Sequence, residues 1–124
     1  MMNDIGIKGE IAALKFYVQN GYAFLEKNYR SKYGEIDIIL KNSEYIVFSE
    51  VKTRKPDTFG KPSESVDIRK RKRIIKTASE YLSENPTDLQ PRFDVTEVIY
   101  DAHGHFFINN IENAFYQSDD YAAF

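Results

Sequence analysis

Acidic residues and a lysine recur at two-residue spacing in two neighbouring stretches of the chain. They are Glu35 and Asp37 in the first stretch, and Glu50 and Lys52 in the second. Magnesium prefers oxygen ligands and usually takes only a few carboxylates from a protein. A lysine beside such carboxylates can orient or deprotonate a water molecule, or neutralise charge that develops on a phosphate. These residue types therefore match the demands of metal-dependent phosphodiester hydrolysis.

Two strands joined by a hairpin would position these residues. Segments 34–40 and 46–52 are rich in β-branched residues, and the short polar stretch 41–45 between them predicts a turn. Side chains alternate between the two faces of a strand. The two acidic residues of the first strand therefore share one face, and Glu50 shares a face with Lys52.

The register of this hairpin decides which carboxylates meet. We expect Leu40 to pair with Tyr45 across the turn. In this register Glu35 lies directly opposite Glu50, and Asp37 lies diagonal to Glu50. Same-face neighbours of this kind have Cβ atoms roughly 5–8 Å apart, close enough for two carboxylates to reach one cation. Like charges placed there repel, so a divalent metal explains them better than folding does.

A cation at this point would take Asp37 and Glu50 as ligands, with the main-chain carbonyl of Val51 and water completing its shell. The alternative is a solvent-facing sheet surface, on which glutamate and lysine are ordinary residues. The residues alone leave both interpretations open.

A helix that precedes the strands carries a further carboxylate. Asp4 predicts the N-cap of this helix, and Gly21 predicts its end. Apolar residues at helical spacing predict its buried face: Ile7, Ile11, Leu14 and Val18, with Tyr17 beside them. Glu10 lies next to this line, where it is either a residue at the rim of the core or part of a site beneath the helix.

The remaining elements predict an α/β domain with a mixed five-stranded sheet, in the order helix, three strands, helix, two strands. They are a first strand over 22–29, a loop over 56–62, a second helix from Ser63 or Ser65 to about Asn85, and strands over 92–100 and 106–108. The second helix has a predicted core face of Ile74, Ile75, Ala78, Tyr81 and Leu82. Segment 109–124, and above all the residues after about 112, predicts no defined element.

Composition narrows the class of protein. The 124 residues predict one domain, and the absence of cysteine excludes disulfides and thiolate metal sites. No apolar run reaches transmembrane length and no signal peptide is evident, so we expect a soluble cytoplasmic protein without a membrane partner. His103 and His105 flank a predicted turn, and without a third ligand nearby a hairpin turn is the default interpretation.

Charge is distributed unevenly although the net charge is only −2. Residues 52–76 hold ten Lys or Arg and three Asp or Glu, whereas the chain after Arg92 holds six Asp or Glu and no Lys or Arg. A basic block in an otherwise acidic protein marks either a surface for a polyanion or a solvated helix face. Charge alone leaves both open.

A series of short motifs extends along most of the chain. It comprises Gly9-Glu10, Ala12-Ala13, Asn20-Gly21-Tyr22, Tyr33-Gly34-Glu35-Ile36-Asp37, the run from Val47 to Arg54, Val66, Lys70, Ala78, Tyr81-Leu82 and Arg92-Phe93-Asp94-Val95. With this series the chain resembles the YraN-like family of small, largely uncharacterised bacterial proteins, up to about Tyr100. That family is similar to the PD-(D/E)xK nucleases, particularly archaeal Holliday junction resolvases. The implied fold is a restriction-endonuclease-like core, a mixed sheet flanked by helices.

The resemblance also implies roles for individual residues. Asp37 and Glu50 would bind Mg²⁺ or Mn²⁺, and Lys52 would be the catalytic lysine. Glu10 would be the helix-borne acid that reaches the site, and Glu35 would support it. The proline that names the superfamily motif is absent, since Ile36 precedes Asp37. Basic residues would contact phosphates of a nucleic acid, expected to be DNA: Arg54, Lys55, Lys70, Arg71 and Arg73.

Three functional hypotheses follow. The first is a metal-dependent endonuclease that hydrolyses DNA phosphodiesters, on branched or damaged structures. The second is a non-catalytic nucleic-acid-binding module that retains the nuclease fold and acts only in a complex. The third is a structural or partner-binding protein whose acidic face is a relic of stability, and the complete set of Asp37, Glu50 and Lys52 argues against it. Analogy with junction resolvases, which need two active sites to cut two strands, also implies a homodimer.

Overall fold

The two helices and five strands follow one another in the predicted order. The structure is a computed structural model that describes residues 4–56 and 66–115. The elements are α1 (Asp4–Gln19), β1 (Ala23–Ser31), β2 (Gly34–Lys41), β3 (Tyr45–Arg54), α2 (Ile68–Glu84), β4 (Gln90–Tyr100) and β5 (Phe106–Phe115). Most of the predicted 56–62 loop, and the tail after Phe115, lie outside the described residues. No helix of the described part is long and apolar enough to span a membrane.

The five strands form one sheet in the order β1-β2-β3-β4-β5. Strands β3 and β4 are parallel, and all other neighbours are antiparallel. A parallel pair needs a long crossover connection, which α2 provides between β3 and β4. The predicted α/β class with a mixed five-stranded sheet is confirmed, and the arrangement is consistent with a restriction-endonuclease-like core.

Each helix covers one face of the sheet, so the central strands are buried on both sides. The α1 side is built from Ala13, Tyr17, Ile38, Leu40, Val47 and Val98. The α2 side contains Ile39, Ile46, Phe48, Phe93 and Phe115 together with helix residues Ile74, Ile75, Ala78 and Tyr81. The predicted core face of α2 is therefore confirmed, with Leu82 partly buried at its margin.

The predicted buried face of α1 is confirmed at Tyr17 and in part at Leu14, which packs against the core, but it is wrong for the other large aliphatic residues. Ile7, Ile11 and Val18 are 41–51% exposed, whereas Ala13 and Tyr17 are fully buried. Gly9 explains the difference, because a Cβ placed on it would lie 3.1 Å from the Cβ of Thr53 on β3. The close approach at Gly9 leaves room only for a small residue at that point, and Ile7 and Ile11 on either side of it face away from the sheet. Two turns further along, the helix has room to bury Tyr17.

The predicted register of the β2–β3 hairpin is wrong by two residues. Leu40 pairs with Val47 rather than with Tyr45, and the last described pair before the strands separate is Ile38 with Ser49. Asn42 sets the turn, since its side-chain Oδ1 accepts hydrogen bonds from the main-chain N–H groups of Glu44 and Tyr45. A shift of two residues leaves every side chain on its predicted face.

The predicted cap of α2 is also wrong. Asp67, rather than Ser63 or Ser65, is the N-cap residue, and its Oδ1 accepts a hydrogen bond from the N–H of Lys70 at 2.9 Å. The fifth strand is longer than expected and extends to Phe115, pairing with β4 from Phe106 to Ile111 and again at Phe115, with an irregularity between them. Most of its side chains are half-buried. Polar and apolar residues therefore do not alternate along it in the way that identifies a strand from sequence.

Candidate active site

The β2 and β3 strands separate next to Asp37, and this point is called the strand fork (Asp37, Glu50 and Val51). The Oδ2 atom of Asp37 accepts a hydrogen bond from the main-chain N–H of Val51 at 2.8 Å. The side chain thereby satisfies a donor of β3 beyond the last described β2–β3 pair. The hydrogen bond fixes the carboxylate of Asp37 against the segment that carries Glu50.

The backbone beside Asp37 is irregular on both strands. Asn28, between the β1 partners of Ile38 and Ile36, has a left-handed φ of 54°. Ile36 packs on the α2 side of the sheet together with Ile39, so strict alternation breaks between them. Irregularities of this kind re-aim side chains near functional sites. Here they lie next to Asp37, whose carboxylate faces the strand fork.

Glu50 is 8% exposed and forms ion pairs with two lysines. The Nζ atom of Lys70, from the first turn of α2, lies 2.5 Å from Glu50 Oε1. The Nζ atom of Lys52 lies 3.6 Å from the same oxygen. The crossover helix thus brings a second ammonium group to the carboxylate that β3 supplies.

The ionisation of these groups is strongly perturbed. Burial, and then the charge of Glu50, raises the pKa of Asp37 to about 7, against the opposing effect of the Val51 N–H. Burial, and then the proximity of Lys70, lowers the pKa of Lys52. Burial acts to lower the pKa of Lys70, but its contacts with Glu50 and Lys52 outweigh burial and raise that pKa. Such perturbed groups in a cleft are typical of functional sites.

A cleft of about 370 Å³ opens onto the strand fork. Its lining comprises Gly34, Glu35, Asp37, Glu50, Lys70, Arg73 and Ile74. The two carboxylates of the fork therefore face a space that a ligand can enter, with cationic side chains from α2 on one wall. Glu35 lines the cleft while its Oε2 pairs with Arg30 Nε at 2.7 Å.

The donor chemistry of the fork fits magnesium or manganese. Within residues 4–56 and 66–115, no three His, Cys, Asp or Glu side chains come together as a ligand set. The available donors are the carboxylates of Asp37 and Glu50 and the main-chain carbonyl of Val51, all of them oxygen. Magnesium often takes only one or two protein carboxylates and keeps several waters, so this set suits it. A cation would also relieve the repulsion that raises the pKa of Asp37.

Glu10 comes from the α1 side of the sheet. Its side chain is 24% exposed and lies 3.9 Å from Lys27 Nζ. Its charge adds to the effects that raise the pKa of Asp37, after burial and Glu50. The close approach of α1 at Gly9 therefore holds this acid within electrostatic range of the fork.

The structure brings together some of the predicted basic residues and separates others. Lys70 and Arg73 line the cleft. Arg71 folds back, donating from Nε to the Val66 carbonyl at 2.9 Å. Arg54 Nε pairs with Glu97 Oε2 at 3.1 Å and its side chain is only 15% exposed. Lys55 is exposed and lines a different cleft. Contact of these residues with nucleic acid stays a prediction.

The histidine pair lies in the hairpin turn between β4 and β5, as the default interpretation predicted. Asp101 organises this turn by accepting hydrogen bonds from the N–H groups of His103 and His105. Both histidines are exposed, with ring centroids 6.2 Å apart. They belong to no group of three potential metal ligands within the described residues.

Sequence reasoning missed a buried polar network on the α1 side. Asp94 is fully buried and accepts hydrogen bonds from Arg92 Nε and Nη2, both at 2.9 Å, and from the Tyr17 hydroxyl at 2.8 Å. The Tyr17 oxygen also lies 3.0 Å from Ser49 Oγ, next to Glu50 in the chain. The available signal was an arginine and an aspartate two residues apart on an otherwise apolar strand.

A family model and individual relatives all place the chain in the same family. A family model described as "Uncharacterised protein family UPF0102" matches residues 9–98. A UPF0102 protein of Clostridium botulinum (strain 657) is 44% identical over 115 residues, which cover 90% of this chain and 94% of that protein. A UPF0102 protein of Caldanaerobacter subterraneus subsp. tengcongensis is 44% identical over 114 residues, covering 90% and 93%.

Proposed function

We propose that this chain, which belongs to the uncharacterised protein family UPF0102, is a metal-dependent nuclease that hydrolyses DNA phosphodiesters. Family membership confirms the YraN-like resemblance of the sequence but names no activity. The observation that carries the proposal is the strand fork. There a carboxylate whose pKa is raised to about 7 lies beside a second buried carboxylate, a lysine of lowered pKa and an open cleft.

Asp37 and Glu50 would hold the cation, with the carbonyl of Val51. A bound Mg²⁺ or Mn²⁺ supplies Lewis acidity, which polarises the phosphate and makes water more acidic. The hydrogen bond from Val51 to Asp37 Oδ2 keeps that carboxylate oriented before any ligand arrives. Orientation of this kind limits the reorganisation needed at the moment of reaction.

Lys52 is the residue best suited to proton transfer. Because burial and Lys70 lower its pKa, a larger fraction of Lys52 is neutral at a given pH than for an ordinary lysine. A neutral amine at Nζ can accept the proton of the attacking water. The water oxygen then bonds to phosphorus, and the bond from phosphorus to the leaving sugar oxygen breaks.

Lys70 and Arg73 have a different role on the cleft wall. They are cations that can hold non-bridging phosphate oxygens and offset charge that develops on them. Lys70 pairs with Glu50, so a cation held by Glu50 would compete with this ion pair and leave the ammonium group available to the phosphate.

Cleavage of labelled four-way junction, duplex and single-stranded DNA in Mn²⁺ tests the proposal, with wild type compared to Lys52→Ala. We expect wild type to cut at least one substrate and Lys52→Ala to lose about 10²-fold or more in rate, while DNA binding survives. Lys41→Ala is the matched control, because Lys41 is an exposed lysine at the other end of β2.

Two outcomes would contradict the proposal. Cutting that persists unchanged in Lys52→Ala would point to a contaminating nuclease or to another site. DNA binding without cutting in either protein would favour the non-catalytic accessory module.

A further inference from the structure

The β1–β2 turn carries an exposed aromatic ring beside two lysines. Tyr33 is 39% exposed. Lys32 Nζ lies 5.3 Å from the centroid of its ring, and Lys76 Nζ, from α2, lies 5.7 Å from it. These distances are within the range of cation–π attraction, so the ring and both ammonium groups form one cluster.

This cluster lines a cleft of its own. The cleft has a volume of about 520 Å³ and is lined by Lys32, Tyr33, Lys76, Ser79 and Glu80. A site made only for phosphate would gain nothing from an exposed ring. A nucleotide suits it better, since its base can stack on the ring and its phosphates can reach the lysines.

The cleft beside Tyr33, called the second cleft, adjoins the cleft that opens onto the strand fork, called the first cleft. Tyr33 is followed directly by Gly34, which lines the first cleft, and Lys76 lies one helical turn after Arg73, which also lines it. The turn is held against α2, because a Cβ on Gly34 would lie 3.5 Å from Thr77 Oγ1. Tyr33 lies four positions before Asp37, which at the rise of a strand is a span of about 13 Å. About four nucleotides of stacked strand cover that distance.

We infer that Tyr33, Lys32 and Lys76 form a stacking site for an unpaired nucleotide, a few nucleotides from the strand fork. Bases inside a duplex are stacked on both faces and cannot use an aromatic side chain, whereas every unpaired base has a free π-face. The site would therefore select a single-stranded segment that continues into the cleft. This reading of the substrate rests on the proposed nuclease function, but the binding itself does not require cleavage.

Binding in EDTA separates this inference from catalysis. The probes are a labelled oligothymidine of about ten nucleotides and an abasic strand of equal length, which keeps the phosphates and lacks the bases. We expect wild type to prefer the oligothymidine, and Tyr33→Ala to weaken that binding by about 5- to 100-fold with little effect on the abasic strand. Tyr33→Phe retains the ring and should bind as wild type does.

Two further variants test the arrangement. Lys32→Ala should weaken both strands similarly and reduce the dependence of binding on salt by about one phosphate contact. Phe107→Ala is the matched control, since Phe107 is 56% exposed on β5, at the opposite edge of the sheet from β1. An oligouridine of the same length shows whether the nucleotide comes from DNA or from RNA.

The inference is overturned if Tyr33→Ala binds oligothymidine as tightly as wild type, or loses affinity for the abasic strand equally. It is also overturned if Phe107→Ala lowers oligothymidine affinity as much as Tyr33→Ala. The two proposals fail separately. Base-dependent binding without cleavage by wild type contradicts the nuclease alone, whereas cleavage with no base dependence at Tyr33 contradicts the stacking site alone.

Discussion

Two buried polar regions lie on opposite faces of the sheet, and they are built on different principles. On the α1 side, Asp94 accepts two hydrogen bonds from Arg92 and one from the Tyr17 hydroxyl. On the α2 side, Asp37 accepts one from the Val51 N–H and lies near the like charge of Glu50. The first region pairs its buried charges. The second pairs Glu50 with two lysines but also places like charges together, Asp37 beside Glu50 and Lys52 beside Lys70.

The difference separates structure from function. A paired and hydrogen-bonded charge in the interior holds elements in place, and the Asp94 network ties α1 to β3 and β4. Like charges in a half-buried cleft cost stability, and proteins retain them where a ligand compensates. A substitution in the first region should therefore lower the stability of the fold, and removal of a carboxylate charge in the second region should raise it.

The largest effect is expected at Asp94. Asp94→Ala leaves the buried guanidinium of Arg92 without its bidentate partner, which should lower the free energy of unfolding by about 3–5 kcal/mol. Urea denaturation measures it. Glu112→Ala is the control, because Glu112 is 60% exposed and lies 3.8 Å from the same arginine, so its loss should change stability by less than about 0.5 kcal/mol. Equal losses in both variants would contradict the assignment of the network.

The opposite sign is expected at Asp37. Its pKa is about 7 in the fold, against 3.8 for an ordinary aspartate, so folding opposes its ionisation. As pH rises from about 4 to about 7, the unfolded chain ionises first, and this residue makes the fold progressively less stable. Asp37→Asn keeps an acceptor for the Val51 N–H and removes the charge. In EDTA at pH 8 it should be more stable than wild type by about 1–3 kcal/mol, with no difference at pH 4.

Denaturation at several pH values measures this difference between variant and wild type. A variant that is less stable than wild type at pH 8 would mean that the carboxylate supports the fold.

Gly9 should show a smaller effect that links α1 to the fork. Gly9→Ala places a Cβ against Thr53, so α1 must move outward, and the loss of stability should be about 1–2 kcal/mol. Gly6→Ala is the control within the same helix, because a Cβ there meets nothing within 4 Å. It should be neutral or stabilise by up to about 1 kcal/mol, since alanine favours helix. Thermal melting of both variants checks this, and equal losses would contradict close packing at Gly9.

The smallest effect is expected at the rim of the cleft. Arg30 pairs with Glu35, but the arginine side chain is 78% exposed. An exposed ion pair contributes little, so Arg30→Ala should change the free energy of unfolding by less than about 1 kcal/mol. Urea denaturation measures it, and a larger loss would mean that this ion pair fixes the wall of the cleft.

Local patterns predicted most of the elements, and where they failed the cause was tertiary contact. Alternation predicted the faces of β3 and of the part of β2 that pairs with it, and these predictions survived a register error because the error was two residues. It failed at Ile36, which packs on the same side as Ile39. Hydrophobic spacing failed at Ile7, Ile11 and Val18 of α1, since the close approach at Gly9 turns the face with the small residues toward the sheet. The N-cap of α2 was ambiguous because Ser63, Ser65 and Asp67 all have capping side chains.

The candidate site was predictable in part. The spacing of Asp37, Glu50 and Lys52 suggested one cluster, and the structure places Asp37 and Lys52 each within electrostatic range of Glu50. The ion pair of Lys70 with Glu50 depends on how α2 crosses back over the sheet, which spacing along the chain does not specify. The partners of Arg54 and Arg71 could not be predicted for the same reason. Arg54 pairs with Glu97 on another strand, and Arg71 donates to the Val66 carbonyl just before its own helix.

The central claim is that the strand fork retains its opposed carboxylates for a divalent cation. Thermal unfolding at pH 8, with and without Mg²⁺, tests it most directly, because a ligand that binds only the folded state raises the melting temperature with concentration. Wild type and the exposed control Glu44→Gln should gain several degrees, and Asp37→Asn should gain none. No gain in wild type at millimolar Mg²⁺, or an equal gain in Asp37→Asn, would contradict the claim.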